Sequence, residues 1–427
     1  MNVTSSAPLQ PSRAPGADRS LRVALFTETF LPSVDGTVTR LCHTIRHLQE
    51  LGHSLLVIAP QGGLAHFEGA RIHGVPAFPF PLYRELKLAI PRPSVGKALA
   101  AFQPDLIHAA HPASLGAAAF YYSAVRKLPL VVSYHCQLPK WLHYYGLGRL
   151  EPLAWWGVKA AYNRADLTLA TSQWMQSELR DRGVRRVKLW RRGVDTHLFR
   201  PDRTSQEMRA RLTQGHPESP LLLYVGRLSA EKEIEQCRPL LAGLPELRLA
   251  LVGDGPHRPK LEQYFAGTPT YFAGYLKGKE LASAFASADV FFMPSRTETL
   301  GLVVLEAMAA GCPVVAAAAG GLLDVVQDGI TGHLYEPGNP TDAIAATQRL
   351  LRDSAHRERV RQQARLDAEQ WGWAAATRQL ERFYRTLIRR EQELPRKIRE
   401  YSILGASIDS ICDTLQISRA TLRRHTR

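Results

Sequence analysis

Residues 221–232 read Leu221-Leu-Leu-Tyr-Val-Gly-Arg-Leu-Ser-Ala-Glu-Lys232, an unbroken apolar run ended by glycine and followed by a polar loop with two cations. A short run apolar at every position is a strand buried on both faces, as in parallel sheets covered by helices. The first half of the chain opens in the same way. Arg22-Val-Ala-Leu-Phe-Thr27 predicts a second buried strand, followed by Pro32, Asp35 and Gly36, then by Leu41, Ile45 and Leu48 at helical spacing. Further strands are predicted at Ser54–Pro60, Leu106–Ala109, Leu130–Tyr134, Leu167–Thr171, Leu247–Val252, Val290–Pro294 and Pro313–Ala317. Strands alternating with helical stretches predict an α/β chain of doubly wound sheets.

A length of 427 residues suits two or three domains. The boundary is expected near 190–220, where Arg191-Arg-Gly-Val-Asp195, Phe199-Arg-Pro201 and Gly215-His-Pro217 form a loop-rich passage. The expected division is a disordered leader over 1–20, one domain over 21–195, a second over 216–365, C-terminal helices over 366–393 and a basic tail over 394–427. Ligands of such sheets bind beyond the carboxyl ends of the strands, so two facing domains would place the site in the cleft between them.

Composition narrows the class. Apolar residues at 45% and charged residues at 22% exclude a disordered, collagenous or coiled-coil chain. Five cysteines (42, 136, 237, 312 and 412), an odd number without a C-x-x-C pair, argue against a disulfide framework or structural zinc and for a reducing compartment. His108 and His111 are three apart, but no third metal ligand accompanies them, and no metal site is expected. The first twenty residues lack an apolar signal-peptide core. The longest apolar stretch, Val303 to Leu323, carries Glu306 and Pro313, whereas a membrane span needs about 20 uncharged apolar residues. Neither a signal peptide nor a transmembrane helix is expected. The net charge of +15 is uneven: residues 1–190 carry +10, 191–393 only +1, and 394–427 +4. The two halves should therefore meet different partners, the basic half an anionic membrane surface or nucleic acid.

The chemistry-bearing residues cluster in the second half. Gly226-Arg227 ends one strand and Lys232 follows; Gly253-Asp254-Gly255 ends the next; Ser295-Arg-Thr-Glu-Thr-Leu-Gly301 leads into an apolar helix with Glu306. An arginine and a lysine beyond strand ends, near helix N-termini, suit a diphosphate. Glu298 and Glu306 suit sugar and ribose hydroxyls respectively.

This pattern, G-R-x₄-K, then G-D-G, then E-x₇-E, resembles the retaining glycosyltransferases of family 4 over about residues 21–390. That family has the GT-B fold, two Rossmann-like doubly wound domains facing a cleft. The segments YYGLGRLEPLAW (144–155), RRGVDTHLFRP (191–201) and PSRTETLGLVVLEAMAAGCPVVAA (294–317) are similar to the sulfolipid synthases within it, as is PLYRELKLAIPRPS (81–94). The resemblance implies a hexosyltransferase with no tightly bound cofactor, moving sulfoquinovose from UDP-sulfoquinovose to diacylglycerol on the cytoplasmic face of a membrane. It implies that Arg227 and Lys232 clamp the diphosphate beside Gly226, Gly253 and Asp254. Glu298 would hold the donor sugar with the backbone of Thr299, Leu300 and Gly301 beside it, and Glu306 the ribose. Gly36 would admit the β-phosphate, and His135, in Ser133-Tyr-His-Cys-Gln137, would stand near sugar and acceptor. The chain departs from the family pattern twice: Asp35-Gly36 replaces a glycine pair, and Thr299 follows Glu298 where a bulky residue is usual. The second departure suits an altered pocket for the sugar C6 substituent.

Two stretches lie outside that constellation. From Gln137 to Lys159 aromatics interleave with basic residues, as in segments that lie at a membrane interface, although packed aromatics would look the same. Residues 407–424 resemble a helix-turn-helix, with Ser418-Arg-Ala-Thr421 opening the second helix and Gln416 in place of the turn glycine. A basic appendage is the expected reading of this tail, and nucleic-acid binding is not expected. A lipid mannosyltransferase using GDP-mannose is the nearest rival function, and a nucleotide-sugar-sensing DNA-binding regulator a more distant one.

Overall fold

The structure, a computed structural model, describes residues 19–33, 35–80, 83–110, 113–135 and 137–426. Most of the expected leader, His111 and Cys136 lie outside these residues. In chain order the strands of the first half are β1 (Arg22–Phe26), β2 (Ser54–Pro60), β3 (His66–Phe67), β4 (Ala70–Val75), β5 (Ala77–Phe80), β6 (Tyr83–Ala89), β7 (Leu106–Ala109), β8 (Leu130–Tyr134), β9 (Leu167–Ala170) and β10 (Val187–Leu189). All but two form one sheet in the order β10-β9-β8-β7-β1-β2-β4-β3, parallel except for the short edge strand β3. The remaining pair, β5 and β6, is a separate antiparallel hairpin. The second half holds β11 (Leu221–Val225), β12 (Arg248–Val252), β13 (Thr270–Gly274), β14 (Val290–Met293), β15 (Val314–Ala317) and β16 (His333–Tyr335). These form a fully parallel sheet in the order β13-β12-β11-β14-β15-β16.

The apolar runs of the sequence became central strands for the reason that identified them. In β1, Ala24 and Phe26 pack into one core layer while Val23 and Leu25 pack into the layer on the opposite face. In the second sheet the two strands that the pattern did not disclose, β13 and β16, lie at the edges. Thr270–Gly274 has no fully buried residue, and His333–Tyr335 is only three residues long.

The chain crosses between the sheets twice, and the crossings touch. Val194 donates its N–H to the Trp371 carbonyl at 2.8 Å and bridges to Gly372. A Cβ on Gly193 would stand 2.6 Å from Trp373, so only glycine lets the two crossings lie this close. After the second crossing the helix Trp373–Ile403 returns Leu380, Tyr384 and Leu387 to the Val23/Leu25 face of the first sheet.

Two expected divisions need correction. The helix Ser354–Glu369 spans the division at 365/366, and Trp373–Ile403 runs unbroken past 393/394. The rise in positive charge at 394 marks no break, because the apolar stripe of the helix continues through Leu394 and Ile398 to meet the tail. The tail forms two helices, Ile408–Thr414 and Arg419–Thr426, with Gln416 in the left-handed region (φ 50) between them. The helix that a DNA reader would extend outwards is turned inwards. Arg424 donates to both carboxylate oxygens of Asp166 at 2.6 Å, both side chains being buried, and Ser418 Oγ donates to the Arg164 carbonyl at 3.2 Å.

Candidate active site in the cleft between the sheets

The second-sheet side of the cleft begins with positions whose backbone leaves no space for side chains. Gly226 (φ 153) and Gly253 (φ 131) end β11 and β12, and a Cβ on Gly253 would lie 1.9 Å from the Gly226 carbonyl oxygen. A Cβ on Gly255 would lie 2.3 Å from the Leu228 carbonyl oxygen. The G-R and G-D-G motifs are therefore two halves of one contact. Asp254 sits outward of it, its carboxylate accepting from the Gly255 N–H at 2.8 Å and lying 3.5 Å from Arg258.

Beyond β11 a single 3₁₀ turn, Ala230–Lys232, lifts Lys232 towards the loop that follows β14. Lys232 Nζ donates to Glu298 Oε2 at 2.7 Å, and Glu298 Oε1 accepts from the backbone N–H groups of Thr299, Leu300 and Gly301 at 3.0–3.2 Å. Burial alone would raise the Glu298 carboxyl, but Lys232 and the N–H groups of Gly301 and Leu300 outweigh it and hold the group at about 2. Burial would likewise lower Lys232, and Glu298 more than compensates. The pair is thus fully charged across the physiological range. The helix Leu302–Ala309 starts at Gly301 with no side-chain cap, because the carboxylate has taken the N–H groups just ahead of it. On that helix Glu306 has no hydrogen-bond partner among the described residues, and burial pushes its carboxyl up to about 8.

Across the cleft, Thr299 Oγ1 donates to the His135 carbonyl at 2.7 Å, and a Cβ on Gly36 would touch Leu302 at 3.8 Å. The helix Gly36–Glu50 is capped by Asp35, whose carboxylate accepts from the Val38 N–H. The departure at Asp35 is thereby explained: it is the N-cap of the helix that Gly36 begins. The structure so brings His135, Gly36, Lys232, Glu298, Thr299, Leu300 and Gly301 to one cleft. Arg227 lies close enough to act electrostatically on Lys232. Gly226 and Gly253 form its floor, while Asp254 stands at the rim.

Several residues of the site escaped the sequence reading. Arg192, buried at the first crossing, donates to the Leu300 carbonyl and, at 3.3 Å, to the Gly321 carbonyl, and pairs with Asp324 at 3.4 Å. Burial, opposed by Asp324, lowers its guanidinium to about 10, so it remains cationic. Gly320 and Gly321 back the same loop: the Gly321 N–H donates to the Glu298 carbonyl at 2.8 Å, and a Cβ there would lie 2.3 Å from the Thr299 carbonyl oxygen. The pair Gly320-Gly321 just after β15 was the available signal. Tyr144 donates to Glu233 at 2.5 Å and Tyr145 to Glu231 at 3.1 Å, tying the first half to the Lys232 turn. The aromatic-basic stretch therefore divides. Tyr144 and Tyr145 are interdomain contacts and Trp155 is core, whereas Leu153 (62% exposed) and Trp156 (69%) face outwards on the helix Glu151–Tyr162.

Two facing parallel sheets with their functional loops at the carboxyl ends of the strands constitute the GT-B architecture. Anabaena HepE, solved with UDP and glucose, superposes with a TM-score of 0.69 at 22% identity over 85% of this chain and 99% of that one. Sucrose-phosphate synthase of Thermosynechococcus elongatus gives 0.72 at 24% identity, covering 86% and 99%. Residues 34–198 match the glycosyltransferase family 4 profile and 209–367 that of the glycosyl transferases group 1. The chain belongs to glycosyltransferase family 4 and is a hexosyltransferase. It is 40% identical to the sulfoquinovosyl transferase SQD2 of Arabidopsis thaliana, over 87% of this chain and 73% of that protein. It is 33% identical to a GDP-mannose-dependent alpha-mannosyltransferase of Corynebacterium glutamicum, over 88% and 92%. Among the described residues no helix is long and apolar enough to cross a membrane.

Proposed function

We propose that the enzyme transfers sulfoquinovose from UDP-sulfoquinovose to diacylglycerol, with retention at the anomeric carbon, while resting on an anionic membrane surface. The observation that carries this reading is the half-buried Lys232–Glu298 pair, 2.7 Å apart beside a glycine floor, in a chain 40% identical to a sulfoquinovosyl transferase. In this reading Lys232 and Arg227 receive the diphosphate and offset the charge that grows on it as the C1–O bond breaks. Glu306, unpartnered among the described residues, receives the ribose hydroxyls. Glu298 holds the sugar hydroxyls, and His135 meets the sugar from the opposite wall. The acceptor hydroxyl forms its bond to C1 on the face that the diphosphate leaves, and its proton passes to the departing phosphate oxygen. No protein nucleophile is required. Leu153 and Trp156, exposed on the half that carries +10, supply apolar anchors among cations, as a lipid acceptor that stays in the bilayer demands.

The likeness to a GDP-mannose-dependent mannosyltransferase favours a second reading that shares every phosphate contact and changes only base and sugar. Calorimetric titration separates the two. Binding of UDP at least tenfold tighter than GDP supports the sulfoquinovosyl reading, and the reverse order overturns it.

A further inference from the structure

Four buried side chains form one line of hydrogen bonds from the C-terminal helix to the cleft. Tyr384 Oη lies 2.6 Å from His108 Nδ1, His108 Nε2 lies 2.9 Å from Ser133 Oγ, and Ser133 Oγ lies 2.7 Å from His135 Nε2. All four side chains are buried, and they come from the helix Trp373–Ile403, from β7, and from β8 and the residue just after it. Trp190 packs against both imidazoles, at 5.6 Å from His108 and 5.9 Å from His135. The Arg40 guanidinium covers Trp190 at 3.5 Å. Burial and the Arg40 charge push His108 down to about 3, so it is neutral and has one N–H to give.

We propose that this line is a directional relay, in which Tyr384, His108 and Ser133 act as positioning residues that fix His135 in the Nδ1–H tautomer. The direction follows from proton bookkeeping. Among the described residues the Tyr384 hydroxyl makes one hydrogen bond, to His108, so its hydrogen must point at Nδ1. His108 then carries its proton on Nε2 and donates to Ser133. The Ser133 hydroxyl donates in turn to His135 Nε2, which is left as an acceptor, with the proton on Nδ1. Reversing the line would strand the phenol hydrogen in an apolar interior, a bias of roughly tenfold or more against it. In the cleft His135 is thereby a hydrogen-bond donor from Nδ1 and not a general base from Nε2. A residue at position 384, on the helix that crosses back from the second half, sets the chemical state of a cleft residue it does not touch.

The effect on turnover rests on the placement of His135 against the donor sugar, but the tautomer does not, and the test reads them separately. The full chain is labelled with ¹⁵N-histidine, with His135 assigned by loss of its signals in His135→Gln. The wild type should show a protonated Nδ1 and an unprotonated Nε2 at residue 135. In Tyr384→Phe the Nε2–H form of His135 should appear, and transfer should fall by roughly 10-fold in a chain that stays folded, its melting temperature lowered by about 1–4 °C because buried His108 loses a partner. Should that variant fold poorly, Ser133→Ala cuts the last link and should give the same change in the His135 nitrogen signals. An Nε2–H His135 in the wild type, or an unaltered His135 tautomer in a folded Tyr384→Phe or Ser133→Ala variant, overturns the relay. An altered tautomer without any change in transfer supports the relay and counts against the assigned role of His135.

Discussion

On the donor wall of the cleft the shape is made by backbone, and on the opposite wall by side chains. At Gly253, Gly255, Gly320 and Gly321 a Cβ would meet a backbone carbonyl oxygen at 1.9–2.6 Å, the last two carbonyls belonging to the loop of the charged pair. Opposite them, His135 is held by a line of hydrogen-bonded side chains, Trp190 is covered by Arg40, and Tyr144 and Tyr145 reach across. Backbone contact of this kind tolerates one residue type per position. A wall of packed side chains tolerates many solutions. Under the proposed function, the difference suits a division in which the glycine-built wall reads the nucleotide diphosphate and, through Glu298, the sugar, while the opposite wall meets the sugar from its other side together with the acceptor.

The largest effect is expected from removing the cation that pairs with Glu298. Under the proposed function, Lys232→Ala should lower turnover by about 100-fold or more while the protein stays folded, because the charge that develops on the diphosphate loses one of its two cationic partners. Near-normal single-turnover rates would remove Lys232 from the mechanism. The next effect is on stability. Gly253→Ala should cost about 3 kcal/mol, since its Cβ would meet a carbonyl oxygen at 1.9 Å in a left-handed backbone. Gly146→Ala, also left-handed (φ 73) but with nothing within 4 Å, should cost only about 1 kcal/mol. Denaturant melts of the two variants test whether the donor wall is the tighter one.

A smaller change is expected at the surface of the first half. Leu153→Glu with Trp156→Glu should weaken binding to anionic vesicles by about 10-fold or more. Transfer to a detergent-dispersed acceptor should be little altered. The smallest effect concerns Glu306. Its carboxyl is raised to about 8 in the folded chain against 4.5 for the free group, so the folded state prefers the proton. Stability linked to this group is full below about pH 4.5 and is lost as pH rises through 8. Glu306→Gln should therefore raise the melting temperature at pH 9 by about 1–3 °C, with no change at pH 4, while weakening nucleotide binding.

The donor wall was legible in sequence because its constraints are local. A glycine after an apolar run, a lysine five residues beyond an arginine and two glutamates eight apart each report a strand end, a turn and a helix start. Of the opposite wall the sequence named only Gly36 and His135, since the contacts that hold it join residues far apart in the chain: Tyr384 lies 276 residues from His108. The same limit explains the misplaced division at 394, where a change of charge suggested a boundary that one continuous helix crosses. The tail shows the converse. Its local pattern of helix, turn and helix was correct, but the buried Asp166–Arg424 pair, 258 residues apart, fixes that pattern inwards.

The most direct test of the central claim is transfer to diacylglycerol in anionic vesicles, with UDP-sulfoquinovose and GDP-mannose supplied to parallel samples of the full chain. Sulfoquinovosyldiacylglycerol with retained anomeric configuration should form from the first donor, and no lipid product from the second. A mannolipid from GDP-mannose and nothing from UDP-sulfoquinovose would contradict that claim.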